Sequence, residues 1–275
     1  MKNNLIFLIT FLLILISISY GISKTNTQKV SKTNKENQTT LENYSFYKNE
    51  NKERYNIYQK KNPNLTQKQI IINVNIGLDN PYYTNITETK EFNKSTILVN
   101  KYISLPANYV PDNLTEIDEK YANKGMKLVK EAKNAFEALS HDAALNNLTI
   151  KAMSTYRSYN YQKNLYTNYT KIDGEEKANT YSAKPGHSEH QTGLAVDVYN
   201  ESVPYTDFEK TAEYKWMQEN AYKYGFILRY PKTKENITGY SYESWHYRYV
   251  GFEFAEYILK NDLTFDEYYM EFLDK

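Results

Sequence analysis

A short apolar run carrying one carboxylate, Leu194-Ala195-Val196-Asp197-Val198, does most to limit how this chain can fold. Its length and composition read as a β-strand. Period-two geometry puts Leu194, Val196 and Val198 on one face and Ala195, Asp197 and Tyr199 on the other. The first face belongs to a core. The second holds a carboxylate beside a small residue, which leaves room for something bulky. An unpaired buried carboxylate is strongly disfavoured, so a solution that leaves Asp197 alone is costly. Gly193 permits a sharp turn that returns His190 toward Asp197.

A second constellation follows about fifty residues later, Glu243-Ser244-Trp245-His246-Tyr247-Arg248. On a strand, His246 and Arg248 share one face, and Trp245, Tyr247 and Tyr249 share the other. Glu243 and His246 point oppositely in a regular strand. A turn or bulge near Ser244 is therefore predicted if both serve one site. The chain has no cysteine, so disulfides and thiolate ligands are excluded and a metal has only His, Asp and Glu to use. Histidine is scarce: His141, His187, His190 and His246. Two imidazoles and a carboxylate (His190, Asp197 and His246) suit one Zn2+ per chain, with a fourth position open to water as in catalytic sites. Glu243 is the candidate to take that water's proton. Arg157, at the end of a predicted strand, is the candidate to face a developing oxyanion. Each residue has a plainer reading when taken alone. A strand histidine is more often a core residue than a ligand, an isolated glutamate is a solvated loop acid, and Trp245 or Tyr156 is more often core than substrate platform. The combination carries the argument.

Formal net charge is +1 and arginine is spelled only at positions 54, 157, 229 and 248, which argues against a nucleic-acid partner. Residues 1–22 hold Met1-Lys2, an apolar run from Leu5 and a small-residue end at Gly21, and read as either a cleaved signal peptide or a membrane anchor. Residues 23–45 are a polar linker that buries too little to order itself. Residues 46–93 read as a small helical accessory segment, with Asn64 or Thr66 as a cap ahead of Ile70, Ile71, Val74 and Ile76. Residues 94–275 form an α+β domain. Strands are predicted at Thr96–Val99, Leu148–Ser154, Leu194–Val198, Gly225–Leu228 and Trp245–Val250. Helices are predicted at Ile117–Leu139, Tyr159–Tyr169, Asp207–Tyr224 (Phe208, Ala212, Trp216 and Ala221 inward) and Glu253–Leu259.

Three ordered motifs give the chain a resemblance: Tyr156-Arg157-Ser158 with Gln162, Ser188-x-His190-x-x-Gly193-x-Ala195-x-Asp197, and Glu243-x-Trp245-His246-x-Arg248-Tyr249-Val250-Gly251. Over about residues 95–262 the sequence resembles the VanY-type D-alanyl-D-alanine carboxypeptidases, zinc peptidases related in fold to the D-Ala-D-Ala dipeptidases and the hedgehog N-terminal domain. The resemblance implies a small, mostly antiparallel sheet flanked by helices. It implies His190, Asp197 and His246 as zinc ligands, Glu243 as general base and Arg157 at the scissile carbonyl. It places Ser188, Gln162 and Tyr156 against substrate. His187, Arg248 and Trp245 are expected just behind these groups, and His187 stands where tyrosine or another residue is commoner in the family. The implied activity removes the terminal D-alanine from peptidoglycan stem peptides, outside the cytoplasmic membrane, on the cell wall or secreted; the sequence does not encode a readable oligomeric state, and a monomer is the default expectation. An L,D-carboxypeptidase, an endopeptidase and a non-catalytic zinc-containing binding module remain the alternatives.

Overall fold

The computed structural model describes residues 40–274. The expected signal peptide or anchor at residues 1–22 and most of the expected linker lie outside the described residues. No helix among the described residues is long and apolar enough to cross a membrane. Residues from Tyr44 onward form one compact unit.

Two helices open the larger unit, α1 (Lys52–Lys61) and α2 (Gln67–Ile76). Thr66, one of the two predicted caps, starts α2 with a capping box: its hydroxyl accepts from the Gln69 amide, and the Gln69 side chain accepts from the Thr66 amide. Gly77 ends the helix in the left-handed region, and Ile70, Ile71, Val74 and Ile76 are buried. A short parallel pair follows, β1 (Thr87–Glu88) and β2 (Ile103–Ser104). Next comes an antiparallel hairpin, β3 (Leu114–Glu116) and β4 (Lys127–Val129). The main sheet is antiparallel, in the order β5 (Lys151–Ser154), β6 (Ala195–Tyr199), β8 (His246–Tyr249), β7 (Phe226–Leu228). Around it run α3 (Lys130–Leu145), α4 (Tyr159–Asp173), α5 (Glu175–Ala178), α6 (Ala212–Asn220), α7 (Glu235–Thr238), α8 (Phe252–Lys260) and α9 (Phe265–Tyr268). This is the α+β arrangement that the motifs imply.

The two faces of β6 and β8 divide as their alternation demands. Val196, Val198, Tyr247 and Tyr249 join Ala132, Phe136 and Leu139 of α3 in the core. Asp197 and His246 lie on the opposite face, directly across the β6–β8 ladder from each other, and Ser154 of β5 is Asp197's partner on the other side. Register alone thus sets three polar residues in a row. A bulge between Ala152 and Ser154 shifts the end of β5.

Three predicted elements are corrected. Residues 117–129 are not helical but complete the β3–β4 hairpin, and the helix begins only at Lys130. Gly125, at φ +80°, turns the chain, and backbone groups of Tyr121 and Asn123 pair with Ala152 beside the main sheet, which uses the bonds a helix would need. Thr96–Val99 is buried at Ile97, Leu98 and Val99 but forms no strand. The carbonyls of Ser95 and Ile97 accept instead from the Arg248 guanidinium, at 2.9 and 2.6 Å. The 207–224 helix is broken at Thr211, whose hydroxyl caps α6 by accepting from the Tyr214 amide. Ala212 is exposed, and Met217 takes the buried place on α6.

Candidate active site

His190 lies in a 3-10 turn, Glu189–Thr192, which Gly193 closes at φ +68° before β6 begins. A Cβ at Gly193 would stand 2.9 Å from Leu114 Cδ2. The residue is therefore constrained both by conformation and by space. The His190 ring is fixed from behind, since its Nδ1 lies 2.7 Å from the Thr155 carbonyl. Nδ1–H donates there, which leaves Nε2 as the lone-pair nitrogen. That nitrogen is 3.3 Å from Asp197 Oδ2. His246 Nδ1 is 2.9 Å from Asp197 Oδ1. All three residues are buried, and one ligand atom from each falls within a group no wider than 4.8 Å.

The electrostatics follow from burial and crowding. Burial, with the Arg157 charge, lowers His190 to about 4. Burial also works against a charged His246, but the hydrogen bond to Asp197 and the close carboxylates of Glu189 and Glu243 outweigh it and raise the group to about 9. Burial raises Asp197, yet His190 and Arg157 hold its carboxyl well below the usual carboxylate range. Arg157 Nη2 donates to Asp197 Oδ2 at 2.5 Å and Nε donates to Ser154 at 3.0 Å. Glu243 Oε2 lies 3.8 Å from His246 Nδ1. The irregularity predicted at Ser244 is present: Ser244 and Trp245 form a turn, and the strand starts only at His246. Burial pushes Glu243 up to about 7, with His246 opposing and Asp197 reinforcing.

These groups share the wall of one cavity of about 420 Å3, which Arg157, Gln162, Ser188 and Trp245 also line. Gln162 is held by donating to the Ala183 carbonyl at 2.8 Å. Trp245 meets the Tyr205 ring edge-on at 4.9 Å. Tyr156 does not line the cavity and is half-buried. His187 also stays out of the lining: its Nδ1 meets the Asn100 carbonyl at 2.8 Å and its ring meets Tyr83. Arg248 is fully buried and braces the fold through Glu189, Ser95 and Ile97.

The donor set fits a borderline-soft divalent ion such as zinc: two neutral-capable imidazoles, one with its tautomer fixed, and a carboxylate held ionised. Without such an ion, the raised affinity of His246 for a proton marks a place where positive charge is favoured.

Comparison with known proteins agrees. The family described as VanY, D-alanyl-D-alanine carboxypeptidase, matches residues 125–252. A D-alanyl-D-alanine carboxypeptidase of Enterococcus faecalis is 33% identical over 203 residues, covering 69% of this chain and 72% of the relative. This chain belongs to the VanY family. Among solved structures, the LD-carboxypeptidase LdcB is similar at 42% identity and TM-score 0.64, over 68% of this chain and 91% of that one. A vancomycin-resistance D,D-pentapeptidase VanY in complex with Zn(II) is similar at 34% identity and TM-score 0.54, over 63% and 98%. As a VanY-family protein the chain is a metallopeptidase. Its VanY motifs nonetheless left several buried groups unread, namely Glu189, Arg229, Asp266, Tyr230 and Lys101. Arg229 was signalled only by the rarity of arginine. Glu189 stood inside a motif beside a more conspicuous histidine. Asp266 lies in a C-terminal stretch with no motif at all.

Proposed function

We propose that this chain is a zinc D-alanyl-D-alanine carboxypeptidase that removes the terminal D-alanine from peptidoglycan stem peptides, with His190, Asp197 and His246 holding one metal ion. The observation that carries this reading is the meeting of those three buried side chains beside Glu243 in one cavity. Zinc bound there supplies a Lewis acid that polarises the scissile carbonyl and lowers the pKa of a water. Glu243, desolvated and poised near neutrality, takes the attacking water's proton and returns it to the leaving amine. Arg157 presents its guanidinium to the developing oxyanion. Thr155 and Ser154 keep His190 and Arg157 aimed. Ser188 and Gln162 contact the peptide, and Trp245 walls the cavity. The enzyme acts as a monomer outside the cytoplasmic membrane, tethered or released according to whether residues 1–22 are kept.

Incubation with defined penta- and tetrapeptides, with and without chelator, and weighing the products tests the reading. Loss of one alanine from the pentapeptide is expected, and its absence rejects the assignment. Glu243→Ala is expected to keep its metal while kcat falls by about 10²–10⁴-fold; full activity in that variant would remove Glu243 from its role. A second reading, L,D-carboxypeptidase, is favoured by the 42% identity to LdcB. Release of alanine from the tetrapeptide alone would establish it.

A further inference from the structure

Glu189 is the residue next to His190, yet it cannot serve substrate in the same way, because its side chain is fully buried. Its Oε1 accepts from Arg229 Nε at 2.8 Å and from Arg248 Nη1 at 2.7 Å. Its Oε2 has no hydrogen-bond partner among the described residues. Across from Oε2, at 3.7 Å, stands His246 Nε2, which is also buried and also without a partner. A buried donor or acceptor left unmade costs about 1–3 kcal/mol. Two such atoms of complementary chemistry, a few tenths of an ångström beyond bonding distance, are therefore expected to pair.

The carboxylate is in no position to turn away. Arg229 Nη1 is anchored to Asp266 Oδ2 at 2.6 Å, and Asp266 Oδ1 accepts from Asn100 Nδ2 at 2.8 Å. Arg248 Nη2 is anchored on the Ser95 and Ile97 carbonyls. Two arginines and two carboxylates thus form a closed buried cluster that holds Oε2 toward the imidazole. His190 is treated in a parallel way by the Thr155 carbonyl. On His246, Asp197 stands at Nδ1, 2.9 Å away, and Glu189 is the carboxylate that faces the other nitrogen, Nε2.

We propose that Glu189 is a positioning residue for the metal centre: it accepts Nε2–H of His246 and holds that ring with Nδ1 turned to Asp197 and the metal. The proposal rests on the zinc reading above. A carboxylate behind a ligand histidine fixes its tautomer and strengthens it as a donor. The competing account makes Glu189 only the counter-charge of Arg229 and Arg248. That account predicts lost stability on substitution, with zinc affinity and the His246 tautomer unchanged.

A histidine 15N spectrum of the zinc-loaded wild-type chain, where four histidines keep assignment tractable, tests the nitrogen assignment that the proposal requires, and the Glu189→Gln variant separates the two accounts. The expected result is a slowly exchanging proton on His246 Nε2 and none on Nδ1. A proton on Nδ1 with Nε2 bare would overturn the proposal. In Glu189→Gln, nearly the same size, the zinc dissociation constant measured by chelator competition should rise about 10–100-fold, with the Nε2 resonance displaced. Unchanged zinc affinity with a lowered Tm would also overturn it. Failure of the wild type to bind zinc would reject the zinc reading itself and this inference with it, a result the wild-type titration shows before any variant is made. Should Glu189→Gln not fold, Glu189→Asp, which keeps the charge facing Arg229 and Arg248 but shortens the reach to His246 Nε2, takes its place: weakened zinc binding is expected, and unchanged zinc affinity would overturn the proposal.

Discussion

At the scale of single residues, Glu243 concentrates the chemistry, and its behaviour has a definite sign. Burial is the largest influence and raises its pKa to about 7; Asp197 adds to this, while His246, Arg157 and Lys101 oppose it. A cation held by His190, Asp197 and His246 adds positive charge nearby and must lower that value. In metal-free protein the Glu243 carboxyl should titrate near pH 7 in a 13C spectrum, and loading zinc should move the midpoint down. A midpoint that does not move would mean that the ion sits elsewhere. The same shift bears on stability. The folded pKa lies above the ordinary 4.5, so protonation favours the folded state. This contribution is complete below about pH 4.5 and is lost as pH rises through about 7. Metal-free wild type should therefore lose more urea resistance between pH 5 and pH 8 than Glu243→Gln does. Arg157 gives a second, independent test. Arg157→Ala should lower kcat by about 10²–10³-fold with a smaller change in KM, as for removal of one oxyanion donor. A change confined to KM would assign Arg157 to ground-state binding alone.

At the scale of elements, the 3-10 turn between Ser188 and β6 decides whether two of the three candidate ligands meet. Gly193 sits at φ +68°, and a side chain there would press on Leu114, Val129 and Pro111 of the neighbouring hairpin. Gly193→Ala should cost about 1–2 kcal/mol from the left-handed backbone alone, plus whatever the contact adds. It should also weaken zinc binding, because relief of the contact carries His190 away from Asp197. Thermal unfolding and a zinc titration measure both, and a destabilised variant with full zinc affinity would show that the turn tolerates the shift. This turn was legible in the sequence, as were β6 and β8, because alternation with an odd polar residue has few solutions. Residues 117–129 misled because Ala122, Met126 and Val129 have helical spacing, while the information that decides their fate lies in Ala152, a partner about thirty residues away. Thr96–Val99 misled for a related reason: its apolarity reports burial, and burial does not require a ladder when an arginine takes the carbonyls. The candidate ligands were read from local pattern. The cluster behind them was not, since Glu189, Arg229, Arg248 and Asp266 come from four separate stretches and no periodicity links them.

At the scale of the whole molecule, the residues before the main sheet are tied to the site through one buried lysine, whose pKa burial lowers to about 7. Lys101 is 1% exposed, and its ammonium donates to the Asn179 carbonyl at 2.5 Å and to the Tyr83 hydroxyl at 3.3 Å. It also lies 3.6 Å from the centre of the Tyr240 ring. Tyr240 packs on Tyr230 at 4.8 Å, and Tyr230 packs on His246 at 4.8 Å. A row of rings therefore runs from Tyr240 through Tyr230 to the candidate ligand, and Tyr83 joins it through Lys101 and a hydroxyl contact to Tyr240 at 3.4 Å. At the other end, Lys48 and Lys68 pair with Asp274 and Glu271, each at 2.6 Å, so the opening helices also engage the C-terminal segment. These surface pairs are worth little singly, but the buried contacts of Tyr55, Ile70, Ile71 and Val74 are not marginal. The residues from Tyr44 onward should then unfold as one cooperative body. Zinc at about 100 times its dissociation constant adds about 2.7 kcal/mol to the folded state, or several degrees in Tm at about 2–4 °C per kcal/mol. That gain should appear equally in Trp216 and Trp245 fluorescence and in hydrogen exchange of α2, which lies far along the chain from every candidate ligand. If α2 exchanged through a local opening that zinc leaves untouched, residues 46–93 would be an appendage, and the aromatic row would carry no coupling between them and the metal.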